Sequence, residues 1–226
     1  MFFDSYYVLL VLPAIILSLF AQSRVQSAYN KYAKVYSQKG ITGAETARRI
    51  LASNGVNDVR IETTEGTLTD HYDPRDNVIR LSKEVYSSTS ISAVGIAAHE
   101  AGHAVQYADE YGPIKVRTAI IPITQFGASL TTPLILLGII LSLPLLVNLG
   151  LVFFAFAILF QVVTLPVEFN ASSRAVRALE SNNLLEYEEV DMTKKVLSAA
   201  AMTYLAALAV SLAQFTRLLM LGRRRR

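Results

Sequence analysis

Five consecutive residues, His99-Glu100-Ala101-Gly102-His103, carry the chemistry most open to reading in this chain of 226 residues. On a helix, two histidines four positions apart lie slightly more than one turn from each other and project from one face about 6 Å apart, close enough to share a metal ion. Glu100 then sits beside that ion, placed to take a proton from a water molecule. The plainer alternative is a surface helix with two solvated histidines. Its neighbours argue against that, because Val94, Ile96, Ala97, Ala98, Ala101, Ala104 and Val105 make the segment apolar, and unpartnered imidazoles in such surroundings would be costly.

A hydrolytic metal of this kind takes three protein ligands and leaves one position open. The chain has no cysteine, which removes thiolate sites, disulfides and cysteine nucleophiles and leaves histidine and carboxylate as donors. Asp109 and Glu110 follow His103 by six and seven residues, about 9 Å or more along a helix axis, too far to close the site. His71, the remaining histidine, and Glu168 are the candidates that survive.

The elements that must position these residues are set by where charge is missing. Hydrophobic residues make up 52% of the chain and charged ones 17%, a balance that argues against a soluble enzyme. No charge occurs over 5–23, 118–167 or 196–216, runs of 19, 50 and 21 residues. At about 20 residues per bilayer crossing these correspond to one, two and one spans. The first run lacks a basic leader and a good cleavage site, so it is expected to stay as an anchor. The 50-residue run must fold back, and its break is expected near Pro144 to Gly150. Because that hairpin returns the chain to the side it left, Glu168, the first charge after it, comes back toward the histidine motif.

Residues 24–117 hold 12 of the 21 basic and 11 of the 18 acidic residues, as a folded polar domain would. Within it Thr42-Gly-Ala-Glu45 has capping-box spacing and opens a helix that stops near Asn54-Gly55. Three β-like stretches follow, Val59 to Thr63, Thr67 to Tyr72 and Asn77 to Leu81, and the turn signal Asp73-Pro-Arg-Asp76 pairs the last two as a hairpin. The motif helix runs from residue 91 to about 110 and ends before Gly112-Pro113. Gly95 and Gly102 inside it each cost about 1 kcal/mol relative to alanine, which close approach of the third-ligand helix or of the apolar hairpin would explain. No phosphate-binding loop accompanies the motif, which argues against an ATP-dependent peptidase, and the scattered charges argue against a nucleic-acid partner.

Together with the motif, Leu68-Thr-Asp-His-Tyr-Asp-Pro74, Val78-Ile-Arg-Leu-Ser82, Ala97 to Gln106 and Pro166-Val-Glu-Phe-Asn-Ala-Ser172 resemble the YugP-like neutral zinc metallopeptidases of bacterial membranes. The likeness covers most of the chain. More distantly the chain resembles HtpX-like and prenyl-protease membrane peptidases, in which a Glu-x-x-Ala-Asp pattern supplies the third ligand. Carried over, that pattern implies one zinc ion held by His99, His103 and Glu168, with Glu100 as general base. It departs at Ser172, where the distant relatives have an aspartate that orients a ligand histidine. The resemblance further implies an edge strand, Leu68 to Asp73, on which extended peptide pairs, with His71 or Tyr72 as oxyanion donor and Arg174 as a competitor.

The expected fold class is a mainly α membrane protein: transmembrane helices plus a small α+β zincin-like catalytic domain with a short hairpin or sheet. The expected divisions are 1–23 anchor, 24–117 catalytic domain, 118–167 transmembrane hairpin, 168–195 third-ligand helix, and 196–226 hydrophobic segment with basic tail. The expected activity is that of a membrane-anchored zinc endopeptidase acting on membrane-proximal peptide or protein. A membrane zinc scaffold or transporter is the alternative, though it would have no need of Glu100. Ten lysines and arginines flank the spans on the polar-block side against five at the C-terminal end, which favours a cytoplasmic site. The terminal arginines pull the other way, and a fourth segment that does not fully cross would reconcile them.

Overall fold

A computed structural model describes residues 4–224. Met1 to Phe3 and, from the basic tail, Arg225 and Arg226 lie outside the described residues. The protein is mainly helical, with four long apolar helices and a small mixed sheet. A π-helical turn at Tyr7–Val11 leads into α1 (Leu12–Tyr32), followed by α2 (Gly43–Ser53), β1 (Arg60–Thr64), β2 (His71–Asp73), β3 (Val78–Ser82), α3 (Lys83–Ser87), α4 (Ile91–Ala108), α5 (Gly112–Ile140), α6 (Pro144–Ser181) and α7 (Tyr187–Arg224). The chain divides into two units: Met1–Ala21 with Lys115–Pro166 and Met202–Arg226, and Gln22–Ile114 with Val167–Ala201.

The first unit is built of apolar helix. Tyr7–Tyr32, Gly112–Ile140, Pro144–Ser181 and Tyr187–Gly222 are each long and apolar enough to cross a membrane. Leu9, Ile16, Leu19, Phe126, Ile140 and Leu145 are exposed, as lipid-facing side chains are. Inside the unit Gln161 Nε2 donates to Ser211 Oγ at 2.9 Å, and Phe154 meets Phe215 edge to face at 5.8 Å. Arg217 donates from Nε and Nη2 to Asp4 Oδ2 at 2.9 and 2.6 Å and lies over the Tyr7 ring. The apolar run turns at Leu141 to Leu143, with Ser142 at φ 54°, earlier than the expected break. Pro144 instead opens α6, because a first-turn residue has no intrahelical partner for the N–H that proline lacks.

The second unit has its own core. Thr42 caps α2 by accepting from Glu45 N–H, while the Glu45 carboxylate turns outward to Arg48 and Arg49, so only half of a capping box forms. Ser90 caps α4 through Ala93 N–H at 3.3 Å. Ile91 to Gln106 are buried except Ile96 and His99; a helix apolar on nearly every side is a core helix. It packs among Ile50 and Leu51 of α2, Ile79 and Leu81 of β3, and Leu179 of α6.

The sheet has the order β1-β3-β2, with β1 parallel and β2 antiparallel to β3. Buried β3 is central and β2 is an edge of only three residues. The stretch from Thr67 to Asp70, expected as strand, is irregular. Gly66 at φ 94° and Leu68 at φ 57° bend the backbone out of the extended region.

Candidate metal centre

The motif helix α4 and the second half of α6 bring His99, His103 and Glu168 together, with one ligand atom from each within 4.8 Å of the others. Both imidazole Nε2 atoms face Glu168 Oε2, at 3.3 Å for His99 and 3.6 Å for His103. The rings meet edge to face with centroids 4.7 Å apart. Tetrahedral zinc with bonds of about 2.0 to 2.1 Å separates its ligand atoms by ~3.4 Å, so the donor types and their spacing fit that ion. Glu168 and His103 are buried; His99 is partly exposed.

Backbone closeness makes this convergence possible. A Cβ built on Gly102 would lie 2.7 Å from the Ala171 carbonyl oxygen, so glycine lets α4 and α6 touch one turn from the ligands. Gly95 has a different neighbour: its Cβ would meet Thr193 Cγ2 at 2.9 Å, inside the 168–195 stretch expected as one third-ligand helix but on α7, separate from the helix that carries Glu168.

Each histidine has its far nitrogen engaged. Ser172 Oγ lies 3.1 Å from His99 Nδ1, so the serine that departs from the distant pattern contacts a motif imidazole. Gln106 Oε1 lies 3.0 Å from His103 Nδ1. Gln106 is fully buried and donates from Nε2 to Val167 O at 2.8 Å and to Asn170 Oδ1 at 3.0 Å. Neither Gln106 nor Asn170 was singled out from sequence. A glutamine one turn beyond the second histidine, on the same helix face, was the signal available.

The Glu100 carboxylate is buried and accepts from Tyr72 N–H of β2 at 2.9 Å through Oε2. Burial pushes its pKa above the ordinary carboxylate range against the pull of His99 and His103. Burial is the largest influence on His103 and disfavours its charged form, yet the hydrogen bond to Glu168, the Glu100 and Glu168 charges and the Gln106 contact together outweigh it and the His103 pKa is raised.

His71 stands apart from the cluster, exposed on β2 with Nδ1 2.7 Å from Thr69 O. The Tyr72 hydroxyl donates to Asn77 Oδ1 at 2.7 Å, and burial lifts its pKa to about 12. Arg174 donates from Nε to Asn170 Oδ1 at 2.8 Å and pairs with Asp109.

The family model described as "Putative neutral zinc metallopeptidase" matches residues 7–223. The chain is 47% identical over 215 residues to "Putative membrane protease YugP" of Bacillus subtilis (strain 168), covering 95% of this chain and 96% of that one. No solved structure matches.

Proposed function

The chain belongs to the neutral zinc metallopeptidase family, and on that premise we propose that it is a membrane-anchored zinc endopeptidase with one zinc ion per chain. The observation that carries this reading is the convergence of His99, His103 and Glu168 donor atoms within 4.8 Å, beside a buried Glu100 carboxylate. His99 and His103 would hold the ion through Nε2 and Glu168 through a carboxylate oxygen. Zinc bound there would polarise the scissile carbonyl and lower the pKa of water toward about 7. Glu100 takes that proton and later delivers it to the leaving amine, while Tyr72 N–H keeps one of its oxygens in place.

In this reading residues 24–117 form the catalytic domain, 168–195 supply the third ligand, and 1–23, 118–167 and 196–226 anchor the chain. Glu168 directly follows the uncharged run, which supports a site at the bilayer surface and membrane-proximal peptide or protein as substrate. The lysine and arginine excess beside the polar blocks supports the cytoplasmic face of a bacterial membrane. His71, Tyr72 and Arg174 are the side-chain candidates for steadying the carbonyl oxygen. The backbone tie from β2 to Glu100 favours β2 as the shelf for extended substrate.

The test uses full-length protein in detergent, with metal analysis and digestion of casein or peptides with and without chelator. The expected result is one zinc per chain and cleavage that chelation abolishes and zinc restores. Stoichiometric zinc with no cleavage of any substrate would instead favour a non-proteolytic scaffold or transporter.

A further inference from the structure

We propose that Gln106 is a positioning residue of the metal centre, fixing which nitrogen His103 offers to the ion as the inner end of a chain of side chains running from Asp109 through Arg174 and Asn170. This deepens the zinc-peptidase reading and rests on it.

The polarity of each link is dictated by a group that can act in only one way. The Val167 carbonyl can only accept, so the atom of Gln106 facing it at 2.8 Å must be the amide nitrogen. The amide oxygen therefore faces His103 and can only accept there. Nδ1 must then carry the proton, which leaves the Nε2 lone pair directed to the metal side. Asn170 is oriented by the same logic, because Arg174 Nε can only donate to it. Its Oδ1 then accepts from Gln106 as well, and Asp109 holds the other end of Arg174.

Ser172 provides the contrast. A hydroxyl donates or accepts as its partner requires, so the contact with His99 leaves that ring's tautomer open. Gln106 is also the stronger device because it is wholly buried and water cannot replace it. Val167 immediately precedes Glu168, so the amide that orients one ligand grips the backbone beside another.

Zinc affinity would be measured by chelator competition on the detergent-solubilised full chain, for the parent, Gln106→Leu and Gln106→Glu. Both substitutions remove the donors to Val167 and Asn170, but glutamate keeps an acceptor for His103. Loss of that orienting bond typically costs about 10- to 100-fold in metal affinity; that loss is expected for Gln106→Leu, with Gln106→Glu recovering most of it. A residue that merely fills the core would give the reverse order, since leucine keeps the volume without burying a charge, and that order overturns the proposal. A parent that holds no zinc would sink the metal-centre reading and this inference with it. A zinc-binding parent whose Gln106→Leu variant keeps parental affinity would sink this inference alone.

Should the variants not fold, nitrogen NMR of the zinc-loaded parent labelled at histidine decides. The chain has three histidines, and His71→Gln removes one signal for assignment. Coordination of His103 through Nε2 with a protonated Nδ1 is expected, and coordination through Nδ1 refutes the proposal.

Discussion

The crossing of α4 and α6 and the edge strand β2 both reach the His99–His103 motif, but they are held there by different means. At the crossing the backbones touch through Gly102, Gln106 and Ser172 face the Nδ1 atoms of His103 and His99, and Val167 O and Asn170 Oδ1 hold Gln106 in turn. β2 is three residues at a sheet edge and contacts the motif by one backbone hydrogen bond, from Tyr72 to Glu100. In the proposed reading the geometry of the metal centre is thus stored where solvent cannot compete for polar groups. Peptide handling in that reading falls to the edge strand β2, so the two jobs should be separable by mutation.

The largest effect is expected from Glu168→Ala at the crossing, which removes the proposed third ligand and should abolish zinc retention and cleavage together. Metal analysis after desalting checks it. Stoichiometric zinc in Glu168→Ala, with loss of metal in His71→Ala, would transfer the third ligand to the strand and break the comparison. Glu100→Gln, where crossing and strand meet, should retain zinc and lose activity by about 100-fold or more, as a general base does. Activity within about threefold of the parent would exclude that role.

Gly102→Ala should destabilise the protein by about 1 to 3 kcal/mol, as overpacking does, because the Ala171 carbonyl has little freedom to yield. Thermal melting with and without zinc measures this, and an unchanged midpoint would mean the helices separate easily. Ser172→Ala should weaken zinc binding by about tenfold or less, at the low end for an outer partner of a ligand histidine. Smallest of all, His71→Ala should leave zinc content unchanged. A change in KM without a change in zinc content would sharpen the division by assigning β2 to substrate alone.

Much of this was legible in sequence because it depends on local periodicity. The spacing of His99, Glu100 and His103 fixes their faces on any helix, and Thr42 caps where side-chain chemistry requires. The β2–β3 hairpin announced itself through its turn. Glu168 lies 65 residues beyond His103 and was reached through topology and resemblance, not spacing. Gln106 was not legible, since its meaning comes from the Val167 carbonyl and Asn170 on α6, and an apolar helix pattern says nothing of which backbone will pass beside it. The parallel pairing of β1 with β3 is likewise non-local. Leu68 misled because a β-like residue type was placed at positive φ by the turn at Gly66.

The ion pair between Asp4 and Arg217 couples residues 213 positions apart, and its consequence is one of biosynthesis. At roughly 5 to 20 residues per second, Arg217 is made about 10 to 40 s after Asp4. Until then the Asp4 carboxylate has only its local partner, the Tyr7 N–H that donates to Oδ1 at 3.0 Å, and its other oxygen is left to solvent. When the last helix arrives, its guanidinium takes over that carboxylate. The last apolar helix is thus matched to the first by charge, and a truncation that stops before Arg217 would leave the first helix without its last-made partner.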